Sequence, residues 1–233
     1  MSRRDKRQKF SEALAFPNVY ENFNVLDGRL FGEGGREVDM KGHWAEKAFG
    51  NDQPITLELA CGRGEYSLGL ARQYPERNFI GVDIKGARIW KGAKTALEEE
   101  MKNVCFLRIR IEQLERFFDA EEISEIWITF PDPFLKKSKK NRRLTSPRFL
   151  KAYRRILQQG GRLDLKTDEQ VLYEYSLEVL QEDPKCKILQ ACADIYSASL
   201  PLAELEIKTW YERMHLQKGK KIKYIQWMFE EER

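Results

Sequence analysis

Ile55-Thr56-Leu57-Glu58-Leu59-Ala60-Cys61-Gly62-Arg63-Gly64-Glu65 is the stretch that decides the fold. Residues 55–60, entered just after Pro54, have the leucine-rich and β-branched composition of a buried strand. Gly-x-Gly then makes a tight turn, and residues 65–73 read as a helix. Downstream the alternation repeats: residues 78–84, 104–109 and 125–130 read as strands, and 87–101 as a helix. Residues 147–158 read as a helix stopped by Gly160-Gly161, and 162–166 as a fifth strand. Thr167 is placed to cap a helix running to residue 180. Residues 208–216 and 221–229 read as two strands of an antiparallel hairpin about Lys218-Gly219-Lys220. Strands alternating with helices build a parallel sheet covered on both faces. The expected fold class is therefore α/β: a doubly wound, mostly parallel, seven-stranded Rossmann-like sheet with an antiparallel C-terminal hairpin.

The chain has 233 residues, 42% hydrophobic, 12% aromatic and 33% charged, the balance of a folded globular protein. At about 150 residues per domain this suits one large domain with an appendage. Residues 1–50 read as a basic N-terminal arm with little regular structure, and 51–233 as the domain. Arg3, Arg4, Lys6, Arg7 and Lys9 precede no apolar h-region, and no run approaches the roughly 18 apolar residues of a membrane helix. A cytoplasmic protein with no membrane partner is expected. The four cysteines form no Cys-x-x-Cys pair and there are only two histidines, so neither a disulfide scaffold nor a metal site is expected. Net charge is only +4, but a second basic block runs Lys136, Lys137, Ser138, Lys139, Lys140, Asn141, Arg142, Arg143. Two separated blocks point toward a polyanion.

In an open α/β sheet, ligands bind beyond the carboxyl ends of the strands. Gly62 and Gly64, after the first strand, let the backbone approach a ligand closely. Asp83 follows 21 residues after Gly62, at the end of the second strand, where a carboxylate accepts both ribose hydroxyl protons. A dinucleotide fingerprint wants glycine where this chain has Ser67. Glu58 would repel a pyrophosphate but attract the ammonium of S-adenosylmethionine. The fourth strand ends in Phe130-Pro131-Asp132-Pro133-Phe134, and the two prolines hold the carboxylate rigidly. Asp168 and the segment Thr209-Trp210-Tyr211-Glu212 add polar groups at the same edge.

Together these residues resemble the bacterial tRNA (guanine-N7-)-methyltransferases, within the class I S-adenosylmethionine-dependent methyltransferases. The resemblance rests on 58–64, Asp83, Pro131-Asp132-Pro133 with Lys136 and the basic run, Thr167-Asp168 and Thr209-x-Tyr211-Glu212, and covers residues 55–229. It implies that Glu58, Gly62, Gly64 and Asp83 hold the cofactor and that Asp132 lies at the methyl-transfer centre beside it. Lys136, Asp168, Thr209, Trp210, Tyr211 and Glu212 would contact the substrate, a guanine in the variable loop of tRNA, and the protein would act as a monomer or homodimer. Three departures stand out. Phe134-Leu135 replaces the usual Trp-Pro, the basic run has no histidine, and Arg110 stands where an Asp or Asn usually meets adenine, leaving that contact to backbone groups or Glu112.

Guanine N7 has an in-plane lone pair and no proton to lose, so such a transfer needs no histidine base. Carboxylates at Asp132, Asp168 and Glu212 suit the positive charge that methylation leaves on the purine. Lys137, Lys139, Lys140, Arg142 and Arg143 are the expected contacts to the RNA backbone. Two other readings stay open at this level: an exocyclic-amino methyltransferase with an Asp-Pro-Pro-aromatic-like loop, and a non-catalytic RNA-binding module.

Overall fold

The computed structural model describes residues 5–230. Arg3 and Arg4 of the first basic cluster lie outside the described residues, as does the end of the chain, 231–233. The element order begins with α1 (Lys6–Ala13), β1 (Val19–Glu21), β2 (Leu30–Phe31), β3 (Glu37–Val38) and α2 (Trp44–Phe49). It continues through β4 (Ile55–Leu59), α3 (Glu65–Gln73), β5 (Asn78–Asp83), α4 (Gly86–Glu98), β6 (Val104–Arg108) and α5 (Leu114–Phe117). The second half holds β7 (Ile123–Thr129), α6 (Pro147–Ile156), β8 (Leu157–Thr167), α7 (Gln170–Glu182), β9 (Cys186–Cys192), α8 (Trp210–Gln217) and β10 (Lys223–Phe229).

All ten strands form one sheet in the order β3-β2-β1-β6-β5-β4-β7-β8-β10-β9. Strands β1, β6, β5, β4, β7 and β8 run parallel, while β10 lies antiparallel between β8 and β9. From β4 the chain first builds outward to β5 and β6, then returns to place β7 on the other side. The carboxyl ends of β4 and β7 therefore flank the switch point where such sheets bind ligands. Alternate strand residues feed two cores. Leu57, Leu59, Ile126 and Ile128 pack with residues of α2, α5, α6 and α7, whereas Phe79, Phe106 and Trp127 pack with α3 and α4. The expected α/β, mostly parallel architecture is the one observed, with three short N-terminal strands added at one edge. No helix among the described residues is long and apolar enough to cross a membrane.

Three expectations need correction. Residues 208–216 do not form a strand: Thr209 Oγ1 accepts from Glu212 N at 3.2 Å and caps α8, whose buried Glu212 and cap fall at helical spacing. The antiparallel partner of β10 at the sheet edge is instead β9, reached across a long connection rather than a tight turn. Its alternate side chains are partly covered, but Leu189 points out and Gln190 in, so hydropathy hides the pattern. Thr167 does not cap α7 either; Glu169 does, and Thr167 Oγ1 accepts from Glu169 N just before it.

The N-terminal segment is more ordered than its composition suggests. Asp5 and Gln8 form a reciprocal capping box at α1. Phe10 packs so tightly on Gly86 that a Cβ there would come within 2.9 Å of its ring. Trp90 Nε1 donates to Glu12 Oε2 at 2.8 Å, tying α4 to α1. Trp44 is wholly buried between Tyr20 and Phe118, with ring centroids at 5.1 and 5.4 Å, and donates from Nε1 to Phe117 O at 2.7 Å. Residues 19–49 are thus continuous with the main core. Trp44→Ala is expected to lower the stability of the whole molecule by about 3–5 kcal/mol. Chemical denaturation should show one transition moved to lower denaturant; a separate early transition with the main one unmoved would mean an independent arm.

Candidate active site

Two adjoining cavities open at the carboxyl ends of β4, β5 and β7, and both are lined by Ala60 and Asp132. The first, about 410 Å³, adds Gly62, Thr129, Asp168, Thr209 and Tyr211. The second, about 320 Å³, adds Asp83, Ile109, Arg110, Leu144 and Phe149. The first is ringed by charged and polar groups; the second is the more apolar, its wall of Ile84, Ile109, Leu144 and Phe149 bordered by Asp83, Glu112, Asp132, Arg110 and Arg142.

The two glycines of the β4–α3 turn differ: Gly62 lines the first cavity, whereas Gly64 lines neither cavity and packs against the core. Gly64 has φ +68°, and a Cβ there would lie 2.3 Å from the Phe106 ring, so no other residue fits without a shift. Gly62 N donates to Asp83 Oδ2 at 3.0 Å, and Lys85 N donates to Oδ1 at 2.8 Å. Each Asp83 oxygen keeps acceptor capacity toward the second cavity.

Glu58 lies beneath the floor rather than on it. It is buried, accepting from Ser67 N at 2.8 Å and also from Ser67 Oγ, while Thr129 Oγ1 donates to its other oxygen at 2.6 Å. Ser67, which breaks the dinucleotide pattern, is thus its partner. Burial raises the carboxyl pKa to about 7 against the opposing effect of those hydrogen bonds.

The loop after β7 is held under tension. Phe130 and Phe134 take positive φ values of 47° and 42°, conformations that β-carbon-bearing residues avoid. Between them Asp132 is exposed, with Oδ1 accepting from Phe134 N at 3.1 Å. Arg143 secures the loop from behind, donating to Pro133 O at 2.9 Å and Phe134 O at 3.2 Å and covering the Tyr175 ring at 4.4 Å. It is only 5% exposed, so this member of the basic block is a brace and not a free phosphate contact. Lys136, Lys137, Lys139, Lys140 and Arg142 remain on the surface, around a short 3-10 turn spanning Lys137–Arg142. Arg142 also lies over the Phe134 ring at 4.6 Å, at the rim of the second cavity.

Asp168, Thr209 and Tyr211 line the first cavity, as expected of a shared edge. Asp168 Oδ2 accepts from Lys220 Nζ at 2.5 Å and lies 3.3 Å from His215 Nδ1. Trp210 sits outside, 44% exposed and T-shaped against Tyr211, with the Arg63 guanidinium 5.3 Å from its ring. Glu212 does not reach the cavity. It is fully buried, 2.9 Å from the equally buried Lys166 Nζ, and accepts from Tyr196 OH at 2.6 Å. Lys166 also donates to Leu205 O and Ile207 O, both at 3.0 Å, and burial lowers its pKa. Sequence reading missed Arg63, Lys85, Arg88, His215 and Lys220 on the cavity wall. The i, i+3 spacing of Lys85 and Arg88 just beyond Asp83 was a usable signal; the others come together only by folding.

A family model described as "Putative methyltransferase" matches residues 52–225. A tRNA (guanine-N(7)-)-methyltransferase of Bacteroides thetaiotaomicron is 44% identical over 230 residues, covering 98% of this chain and 87% of that protein. The protein of the same name from Christiangramia forsetii is 45% identical over 227 residues, covering 97% and 98%. Among solved structures, the 16S rRNA methyltransferase KamB superposes with a TM-score of 0.59 at 16% identity, covering 83% of this chain and 95% of that one. The antibiotic-resistance methyltransferase Kmr gives 0.58 at 14% identity, covering 86% and 98%. At such identities these two likenesses speak for the fold alone.

The burial of Glu212 has a measurable consequence. Lys166→Met leaves an uncompensated buried carboxylate and is expected to cost about 3–5 kcal/mol in equilibrium unfolding. Adding Glu212→Gln should restore much of that loss, because the amide removes the stranded charge while still accepting from Tyr196.

Proposed function

The chain belongs to the tRNA (guanine-N(7)-)-methyltransferase family, an S-adenosylmethionine-dependent class, and from that premise we propose how its own residues divide the work. The observation that carries the proposal is the position of Asp132, on a rigid loop where the apolar cavity and the charged cavity meet. The apolar one suits the adenosine half of the cofactor: Ile109, Leu144 and Phe149 offer surface for a flat base, and Asp83 offers acceptors for ribose hydroxyls. Arg110 stands at its exposed rim, so backbone groups there carry the adenine contacts. Gly62 keeps the turn low enough for the methionine half to pass. Glu58, charged in the presence of an ammonium, holds that group from below through its remaining acceptor capacity.

Bound S-adenosylmethionine supplies a methyl group on a sulfonium, which the in-plane lone pair of guanine N7 attacks without prior loss of a proton. The protein's part is to orient the base and to meet the charge that develops on it. Asp132 and Asp168 accept from guanine N–H donors and offset the growing positive charge of the purine. Thr209 and Tyr211 border the same space. Glu212 acts through Lys166 and Tyr196 to fix the start of α8, and is a positioning residue. The enzyme works in the cytoplasm on tRNA, which it grips through Lys136, Lys137, Lys139, Lys140 and Arg142.

The decisive experiment is methyl transfer from labelled S-adenosylmethionine to unmodified tRNA, with nucleoside analysis. N7-methylguanosine is expected as the product, falling at least about a hundredfold in Asp132→Ala. Label in an exocyclic amino group, or none, would overturn the reading. The braced and free members of the basic block should also part company. Neutralising Lys139, Lys140 and Arg142 together should reduce the slope of log affinity against log salt by about 0.7–0.9 for each phosphate that the protein no longer neutralises. Arg143→Ala should leave that slope unchanged while lowering the rate of transfer.

A further inference from the structure

The basic run after Pro131-Asp132-Pro133 is not the whole of the positive charge around Asp132. Arg63, Lys85 and Arg88 line the first cavity together with that carboxylate. Arg63 sits in the turn between Gly62 and Gly64, Lys85 immediately precedes α4, and Arg88 lies in the first turn of that helix. Strands β4 and β5 are paired neighbours, so the chain segments that follow them stand side by side at the same edge of the sheet. The basic run follows β7 instead, on the far side of β4 from β5. Cations therefore flank Asp132 from two directions.

The three charges of this wall have no counter-charge. Among the described residues none of them forms an ion pair or donates a side-chain hydrogen bond, and Arg63 only lies over the Trp210 ring at 5.3 Å. The other cations of the cavity differ, since Lys220 and His215 both stand against Asp168. The remaining acids are engaged elsewhere: Glu65 Oε2 accepts from Trp210 N at 2.6 Å, Glu169 Oε1 from Val171 N at 3.5 Å and Asp132 Oδ1 from Phe134 N at 3.1 Å. Moreover, α4 opens beside two cations with no acid in its first turn and no side-chain cap, the reverse of the charge that a helix start favours. Like charges gathered there raise the energy of the free protein, and an anion at the cavity mouth relieves it. Arg63 and Lys85 are exposed and Arg88 is half-buried, so an incoming ligand can reach all three.

We propose that Arg63, Lys85 and Arg88 form a second phosphate-binding wall, so that the tRNA strand is gripped on both sides of the target guanine. This rests on the methyl-transfer reading above. The residue types suit the ligand: the planar fork of an arginine matches two phosphate oxygens, and lysine adds a point charge. A strand of RNA also fits the spread of the wall, because three cations over two chain segments exceed the single carboxylate that the cofactor brings. One basic wall would hold the RNA yet let it pivot about its contacts; two walls with Asp132 between them fix the course of the strand across the cleft. Phosphates carry no base identity, so this wall positions the strand and the carboxylates select the base.

The test measures tRNA affinity over a series of salt concentrations. Arg63→Gln, Lys85→Gln and Arg88→Gln combined should lower the slope of log affinity against log salt by about 0.7–0.9 for each phosphate no longer neutralised, and weaken binding about tenfold per phosphate at about 0.1 M salt. Neutralising Lys139, Lys140 and Arg142 as well should lower the slope further by as much as it does alone, because the two walls bind different phosphates. Lys94→Gln is the control for net charge: it removes a cation from α4 beside Glu98, in a groove against α1 outside the cleft, and should leave the slope where it is. Cofactor affinity measured calorimetrically without tRNA, and the thermal midpoint, should be unaltered in the triple variant. An unchanged slope in that variant would overturn the second wall, as would an equal drop in Lys94→Gln. Weakened cofactor binding with the slope unchanged would give these residues to the carboxylate of the cofactor and overturn it equally. Failure of wild type to make N7-methylguanosine would instead overturn the reading on which the wall rests, and nucleoside analysis detects that independently of the salt slope.

Discussion

A buried carboxylate joins the elements that make the cleft. Glu58 stands on β4, and its oxygens are held by Ser67 at the start of α3 and by Thr129 at the end of β7. These three elements surround the point where the strand order reverses, and the chain leaves β4 and β7 in different directions. Without such a tie the two strand ends would have only their ladder hydrogen bonds to set their separation. Burial raises the pKa of the acid to about 7 against the opposing effect of the hydrogen bonds from Ser67 and Thr129.

The cleft is also where the backbone departs from comfortable geometry. Of the five non-glycine residues with positive φ among those described, Ala60, Phe130 and Phe134 lie at its rim. Each such residue costs on the order of 1–3 kcal/mol and persists only where its surroundings over-determine it. Here the surroundings can be named. Phe130 is bonded to the β8 backbone, Phe134 N is capped by Asp132, and Arg143 grips the carbonyls of Pro133 and Phe134. The exposed carboxylate at the centre is consequently held by a framework and does not move freely with a loop.

A second set of buried charges sets the opposite wall. Lys166 reaches from β8 to Glu212 and to two carbonyls of the segment before α8. Further down the same face, Asp164 accepts from Tyr224 OH at 2.5 Å and Gln226 Nε2 at 3.0 Å, with burial raising its pKa to about 8. Those bonds cross from β8 to β10 and fix the antiparallel register on which the position of α8 depends. Polar groups are costly inside a protein unless paired, so these specific partners admit few alternatives, even though Asp164 Oδ2 has no hydrogen-bond partner.

The sequence by itself determined the α/β class, the place of the cleft at the switch point and several of the residues that line it, among them Gly62, Asp83, Asp132 and Asp168, because each is encoded locally. Glycine spacing fixes a turn, β-branched runs fix strands, and two prolines immobilise one aspartate, whatever the rest of the chain does. The helix over Trp210–Gln217 was misread although Thr209-x-x-Glu212 carries the spacing of a helix cap, and the edge strand Cys186–Cys192 was not legible because an outward Leu189 disguises it. Tertiary structure alone decided which charges are free. Glu212 and Arg143 sit in segments that read as substrate contacts, yet folding buries both against partners outside those segments, while His215 and Lys220 arrive at the cavity unannounced. Charge and spacing along a chain say what a residue can do; only the three-dimensional pairing of buried groups says what it is already doing.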